Sequence, residues 1–462
     1  MSQKIRRAAV AGSFYPDSAA TINAQIDTFW RNSASRSAQF RACSGDRRPK
    51  ALIVPHAGWI YSGQLAADAY STLEQGDEKV KRVILVGPAH RVAFEGLALP
   101  DAAGFATPLG IVPLDQEALA VALLQPGVSI NDQAHQAEHC LEVQLPFLQR
   151  LFPQAACVPI LVGRADTGMV AQLISALWGD DETKIIISSD LSHYQSYDQA
   201  RANDWLSVLS ILRETPLHNF EQACGALPIN GMLQAARMRG HRPHLVGAIN
   251  SGDTAGDHER VVGYAAFAFL EGAPTQALSE EAGRLLTLAR AAIHSSLELP
   301  VPPIPNAPWL AQPAASFVTL NKAGALRGCI GSLQAHRPLS DDIINNARSA
   351  AFKDPRFSPV NVGELADIVV EVSLLSTSQV LKVGTEQEAL AAIRPGVDGL
   401  ILQSGNRRGT FLPQVWTQLP DPAQFLNQLK LKAGLPADAW GADWQLSRYT
   451  VKKWSESDLV AA

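Results

Sequence analysis

Residues 82–90 read RVILVGPAH. Val83 to Val86 form an unbroken apolar run with no polar alternation, which predicts a strand buried on both faces. Gly87-Pro88 ends the run, and His90 follows it. The same pattern recurs outward from this point, in ALIVP (51–55), CVPILVG (157–163), KIIISS (184–189), HLVGAI (244–249) and VVGYAAFAFL (261–270). Helical patterns lie between several of these runs: QLAADAYSTLE, LDQEALAVALLQ, DTGMVAQLISALW and YDQARANDWLSVLSILRE. Strand–helix alternation of this kind predicts an α/β domain with a mostly parallel sheet.

The chain has 462 residues, enough for three average domains or two larger ones. Hydrophobic residues make up 47% and charged residues 18%, a globular composition with ample core. Lys+Arg is 39 and Asp+Glu is 44, so there is no basic field to hold nucleic acid. No stretch is apolar for long enough to predict a membrane span, and the basic N-terminus lacks the apolar run of a secretory signal. These features predict a cytoplasmic protein with neither nucleic-acid nor membrane partners. The five cysteines, Cys43, Cys140, Cys157, Cys224 and Cys329, are scattered and form no CxxC, which argues against a disulfide framework or a structural zinc site.

A composition change places a domain boundary near residue 273. EGAPTQ (271–276) reads as a linker, and an amphipathic helix then begins with Ser279 as its N-cap. Residues 1–272 carry 22 basic and 27 acidic residues, hence the whole negative excess, and nine of the eleven histidines. Domains are therefore expected over 1–272 and 273–462. The Pro-rich stretch 299–309 reads as an extended segment inside the second.

In an open α/β sheet, ligands bind beyond the carboxyl ends of the strands. There the runs are followed by His56, by His90, by Asp190 and His193, and by Asp253. Three imidazoles and two carboxylates at one edge suit Fe(II), Zn, Mn or Cu better than Ca or Mg. A further segment, HQAEHCLEVQLP (135–146), sets His135 and His139 four apart and His139 and Glu142 three apart, as on one helix face. His139 and Glu142 could orient a substrate or a ligand. Asp190 or Glu142 could accept the second N–H of a ligating histidine.

The segments AGSFYP, VPHAGWIYSG, VGPAH, EHCLEVQLPFL, PILVG, SSDLSHY and SGD…VVGYAA, in that order over roughly 5–271, resemble the Memo family. That family is similar in fold to class III extradiol dioxygenases, which hold Fe(II) on two His and a Glu and use another His as acid/base. The resemblance implies His56 and His90 as metal ligands and His193 as acid/base or third imidazole. Animal Memo proteins carry a cysteine in the loop before the last strand. In this register Thr254 stands there, with Asp253 and Asp257 nearby, and Asp253 is the expected third ligand. Cys224, in ACGALPIN, resembles a separate Cys-Gly-x-x-Pro segment and is expected to be structural, as are Cys140 and Cys157.

In the second domain, SFVTLNKAGALRGCIGSL (316–333) reads as a hairpin in which Cys329 lies between glycines near Arg327. A cation lowers a thiol pKa where geometry allows, and here that needs a bulge at Gly328, because neighbouring strand residues alternate faces. VVEVSLLS (369–376) reads as a strand, and GVDGLILQ to GTFLPQVW as a hairpin around Gly405–Gly409. These segments, LRGCIGSL above all, resemble the AMMECR family over roughly 278–456. That resemblance implies an α+β domain of two subdomains. Gly328 and Gly331 remove side-chain bulk around Cys329, which makes it a candidate reactive residue in a groove, against the alternative of a small buried cysteine.

Memo-type, AMMECR-type and radical SAM proteins are associated in the AmmeMemoRadiSam system, and this chain looks like a fusion of the first two. It has no CxxxCxxC run, so a radical SAM partner would be a separate protein. The expected function is that of a metal-dependent redox enzyme using Fe(II), with Zn or Cu as alternatives, on a small substrate. A non-catalytic metal-binding scaffold and a zinc-dependent hydrolase are the competing readings.

Overall fold

The computed structural model describes residues 4–44, 47–73, 79–272, 280–301, 308–376, 378–441 and 443–460. The expected boundary at 273, most of its linker, Ser279, and 302–307 of the Pro-rich stretch lie outside the described residues. The chain forms two compact units. The first comprises Met1–Ala277 with Val362–Ala366 and Ser457–Ala462; the second comprises Leu278–Asn361 and Asp367–Glu456.

The first unit is built on a nine-stranded sheet: β1 (Ala51–Val54), β2 (Arg82–Pro88), β3 (Leu97–Leu99), β4 (Val128–Ile130), β5 (Ala156–Val162), β6 (Thr183–Ser188), β7 (His193–Gln195), β8 (His241–Asn250) and β9 (Val261–Glu271). Their order is β7-β9-β1-β6-β2-β5-β3-β4, with β8 also paired to β9. The central strands β1, β6, β2 and β5 are parallel, as are β3 and β4. Pairings β5–β3, β1–β9, β9–β8 and β9–β7 are antiparallel. The sheet is therefore mixed, with a parallel centre. The ten residues between β8 and β9 are too few for a crossover helix, so those strands return antiparallel. Their apolar runs could not reveal this, since a strand covered on both faces reads alike in either direction.

Residues 83–86 and 185–187 are essentially inaccessible to solvent. Helix α1 (Ala19–Ser44) packs on α2 (Trp59–Tyr70), which covers β1, β8 and β9. Helix α3 (Thr167–Ala176) packs against α5 (Ala226–Met238), while α4 (Tyr197–Leu212) lies on β8 and β9. Sequence periodicity did not announce α1, because its inward face mixes Ile22, Ile26, Phe29, Trp30 and Phe40 with the buried serines Ser33, Ser37 and Ser44 along a long polar helix. The five-residue helix Asp132–Gln136 ends before His139, so His135 and His139 do not share a helix face. His135 is instead buried, with Nε2 3.0 Å from the Ala98 carbonyl, and burial pushes its pKa down to about 4.

The second unit carries a four-stranded antiparallel sheet in the order Ala325–Gly331, Ala315–Lys322, Ile368–Leu375, Val451–Ser455. The first two strands are joined through Ala323 and Gly324, both at positive φ, the two-residue turn that matches strand twist. Helices Glu280–Ser296 and Leu339–Phe352 accompany this sheet. A second sheet runs Gln379–Val380, Gln445–Tyr449, Gly399–Ser404, Arg407–Phe411, and packs with helix Pro422–Lys432 around Leu400, Leu402, Trp416 and Phe425.

One buried contact fixes the segment between β6 and β7. Leu191 N–H donates to the Gly263 carbonyl (2.8 Å), Gly263 N–H to the Ser192 carbonyl (2.8 Å), and Ser192 N–H to Asp204 Oδ1 on α4 (3.0 Å). A Cβ on Gly263 would fall 1.8 Å from Asp204 Oδ2. Gly263→Ala should therefore destabilise the unit by about 3 kcal/mol or more. Adding Asp204→Ala should recover most of that loss in thermal unfolding, and the absence of any recovery would show that the clash is not the cause. Burial lifts the Asp204 carboxyl to about 7. An acid whose folded pKa is raised stabilises the fold while protonated and loses that contribution as pH climbs from about 4 to 7. Asp204→Asn should thus match the native chain near pH 4 and exceed it increasingly up to pH 7. Denaturant midpoints across that range measure the gap, and a gap independent of pH would contradict the assignment.

Candidate metal centre

Arg6 and Glu142 bring the first site element into place. Glu142 is fully buried and accepts from Arg6 Nη1 (2.5 Å), Ala9 N–H (2.8 Å), Val10 N–H (3.0 Å) and Tyr15 Oη (2.9 Å). Arg6 also donates to the carbonyls of His135 and Glu138, both at 2.7 Å. The N-terminal AGSFYP segment is thus locked onto the turn that carries Glu138 and His139, and Phe14 rests on the His139 ring with centroids 4.6 Å apart. This corrects the expected role of Glu142. All its acceptor capacity is taken up by the chain's own N-terminal segment, so it neither orients a ligand nor faces a substrate.

Glu138 is the carboxylate that organises the histidines. It accepts the His90 backbone N–H (2.7 Å), His90 Nδ1 (2.9 Å) and the backbone N–H groups of His139 (3.0 Å) and Cys140 (3.2 Å). His139 Nδ1 lies 3.1 Å from the same carboxylate, off the line of a hydrogen bond. Burial pushes the carboxyl of Glu138 up, but the adjacent His139 and His90 rings and the His90 backbone N–H outweigh it and hold the group well below the usual carboxylate range.

His56 follows β1 and is buried. Its backbone N–H donates to Asp190 Oδ1 (2.7 Å), as does that of Ala57 (3.3 Å). Ser188 Oγ, at the end of β6, donates to the Cys140 carbonyl (2.7 Å) and accepts Gln144 Nε2 (3.0 Å). With that proton committed, Ser188 Oγ must also accept from His56 Nδ1, 3.0 Å away. The network therefore assigns the proton of His56 to Nδ1 and leaves Nε2 with a free lone pair. Glu138, which can only accept, likewise holds a proton on His90 Nδ1. Burial, followed by the neighbouring His90 and His139, holds the His56 pKa well below its ordinary value, so the ring is neutral at pH 7.

The rings of His56, His90 and His139 form a triangle with centroid separations of 5.2, 5.4 and 4.7 Å. His56 and His90 stand just beyond β1 and β2, which β6 separates, and the loops that carry them close the gap. One ligand atom each from His56, His90 and Cys224 lies within 4.8 Å of the others, and so do atoms of His90, Glu138 and His139. Asp190 Oδ2 is 4.0 Å from His56 Nε2, and burial raises the Asp190 carboxyl. His193 is half-buried on β7, near enough to bias both His56 and Asp190, and Tyr194 beside it takes a positive φ of 59°.

Asp253 does not join this cluster, contrary to expectation. It closes a capping box with Asn250, accepting its backbone N–H at 2.8 Å, and it also accepts Tyr197 Oη. Asp257 accepts the N–H groups of Glu259 and Arg260, and Thr254 Oγ1 donates to the Ser251 carbonyl. Cys224 was expected to be structural, yet its Sγ lies 3.4 Å from His56 Nε2. Burial pushes the Cys224 thiol up to about 12. No strand run precedes Cys224, so the strand-end rule passes over it. Glu138 is missed for a related reason, since its sequence neighbour His139 draws the eye and its partner His90 lies 48 residues away. Cys140 and Cys157 are buried free thiols.

Cys329 belongs to the second unit and carries a free, half-buried thiol. Gly328 pairs with Leu320 and Leu326 with Asn321, so a bulge does occur at Arg327. It turns the guanidinium over the Phe357 ring at 5.9 Å. Cys329 N–H donates to Asp354 Oδ2 (2.9 Å), Arg356 Nη2 donates to the Cys329 carbonyl (3.3 Å), and Thr319 Oγ1 lies 3.3 Å from Sγ.

Comparison with known proteins follows this division. The model of the family described as Memo-like protein matches residues 6–268, and that of AMMECR1 matches residues 286–454. A MEMO1 family protein of Aquifex aeolicus is 31% identical over 279 residues, covering 58% of this chain and all of its own length. One from Aeropyrum pernix is 34% identical, covering 57% of this chain and 99% of its own. A solved structure, the uncharacterized protein PH0010 from Pyrococcus horikoshii, is 37% identical over 37% of this chain and 89% of its own, with a TM-score of 0.34. The chain belongs to the Memo family and is a fusion of a Memo domain with an AMMECR1 domain.

Proposed function

We propose that the Memo domain is a metal-dependent redox catalyst, resembling class III extradiol dioxygenases, that holds a divalent ion between His56 and His90. The observation that supports this most directly is the pairing of two imidazoles whose Nδ1 atoms are anchored, one on Ser188 and one on Glu138. Anchoring of the far nitrogen by a hydroxyl or carboxylate is the usual support of a ligating histidine. The donor set favours Fe(II), with Zn or Cu as alternatives. When bound, such an ion supplies Lewis acidity and, for iron or copper, electron exchange with O₂. The protein's own residues do the rest. His56 and His90 orient their Nε2 lone pairs, Phe14 and the buried floor around Gln144 exclude water, and His139 lines the same space. His193, half-exposed, exchanges a proton between a small substrate and solvent, with Asp190 beside it.

The chain is proposed to divide near residue 273 and to work in the reducing cytoplasm, where free thiols persist. A separate radical SAM protein is the proposed partner, supported by the joining of Memo and AMMECR1 domains in one polypeptide. No helix among the described residues is long and apolar enough to cross a membrane.

Metal content after anaerobic purification is the deciding measurement. His56→Ala with His90→Ala should lower bound iron more than tenfold at unchanged circular dichroism. Iron retained by that double variant would overturn the reading, and zinc without iron would redirect it to hydrolysis by metal-bound water. Glu138→Gln should weaken metal affinity by about 10- to 100-fold through loss of its hold on His90. His193→Ala should keep the metal and lose turnover. Loss of metal on that change would make His193 a ligand.

A further inference from the structure

We propose that the cavity beside the N-terminal segment of the Memo domain is a binding site for an N-acylated amino acid with an apolar side chain. The site is separate from the metal centre and does not rest on it.

The cavity has a volume of about 590 Å³, in the range usual for small-molecule sites, and is bounded by residues 4–9 and by the helix Asp132–Gln136. Its polar groups are few and of defined kind. His135 is 2% exposed and lines the wall. The Ala98 carbonyl can only accept, so its contact fixes the ring proton on His135 Nε2. Nδ1 then carries a bare lone pair. It makes no hydrogen bond among the described residues, and it is not sealed into the interior. A ligand N–H that enters the cavity therefore meets a fixed acceptor, shielded from bulk water.

The charges around the cavity do not cancel. Lys4 is paired with Asp132, whose other oxygen accepts the Asp101 N–H (2.7 Å). Arg6 is committed to Glu142 and to the carbonyls of His135 and Glu138. Arg7 pairs with no acid among the described residues, which leaves one exposed guanidinium on the cavity wall. One unbalanced cation calls for one anion, and a guanidinium takes a carboxylate through two parallel bonds. Ile5, Ala8, Pro100 and Ala102 supply an apolar wall, and the exposed amides of Gln133 and Gln136 can donate to a carbonyl. A carboxylate, an N–H, a carbonyl and an apolar side chain occur together in an acylated amino acid. A free amino acid suits the site less, because its ammonium would enter beside Lys4, Arg6 and Arg7.

Isothermal titration of the full chain with N-acetyl-L-leucine tests this. Saturable binding in the millimolar range or tighter is expected, and its absence overturns the proposal. The methyl ester lacks the charge and N-acetyl-N-methyl-L-leucine lacks the N–H; each should bind about tenfold more weakly, the usual cost of losing one hydrogen bond at a shielded site. Arg7→Gln should weaken the parent compound about tenfold and leave thermal unfolding unchanged. His135→Gln can still donate to the Ala98 carbonyl, and it should abolish the preference for the parent over its N-methyl analogue. Equal binding of the three compounds, or native affinity in both variants, would overturn the assignment. Should the His135 variant not fold, the N-methyl comparison on the native chain decides the histidine contact. His56→Ala with His90→Ala should bind the parent as the native chain does. Loss of binding there would place the ligand at the metal centre and sink the proposal.

Discussion

The centre depends on a single buried anion. A carboxylate withdrawn from water is costly unless its oxygens are filled by donors. Glu138 meets that demand with the backbone N–H groups of His90, His139 and Cys140 and with the His90 ring. The same bonds dock the loop after β2 against the turn before Gln144. The turn in turn is held by Arg6 and Glu142, so the extreme N-terminus of the described chain and residues about 130 positions later set one ring orientation. Ring placement here follows from satisfying buried charge.

The legible part of the sequence was the part written in strands. Unbroken Val/Ile/Leu runs identified β1, β2, β5 and β6, and the position of His56 and His90 just beyond such runs placed them at one edge. What escaped was whatever depended on partners remote in sequence. The helix-like spacing of His135 and His139 suggested a shared face, but the helix stops at Gln136 and the two rings go to different surroundings. Asp253 had the right chemistry and a strand-end position, yet local turn geometry claimed its oxygens first. Cys224 carries no periodic signal, because a turn held by a glycine contact is specified by packing and not by pattern.

The two units rest on different physical grounds. The Memo domain buries a wide mixed sheet between helices and gathers His56, His90, Glu138 and His139 beyond the carboxyl ends of β1 and β2. The AMMECR1 domain uses two smaller antiparallel sheets and ties them down with fully buried charged groups such as the pair Arg290–Glu456 and the Asp342 network. Arg290 donates to Glu456 and to the Ile368 carbonyl, and Asp342 accepts from Ser316, Ser332, Arg337 and Asn346, the kind of pairing that allows a charge to remain in a core.

The Asp354–Arg356 corner has a consequence for how this chain meets others. Strand Ala325–Gly331 lies at the margin of its sheet, where bare N–H and C=O groups would template the addition of a foreign strand. At Cys329 both groups are already occupied, the N–H by the Asp354 carboxylate and the carbonyl by the Arg356 guanidinium. Two side chains thus impersonate a neighbouring backbone. At Cys329 the margin therefore offers an incoming strand no free N–H, and the carbonyl already has a guanidinium upon it.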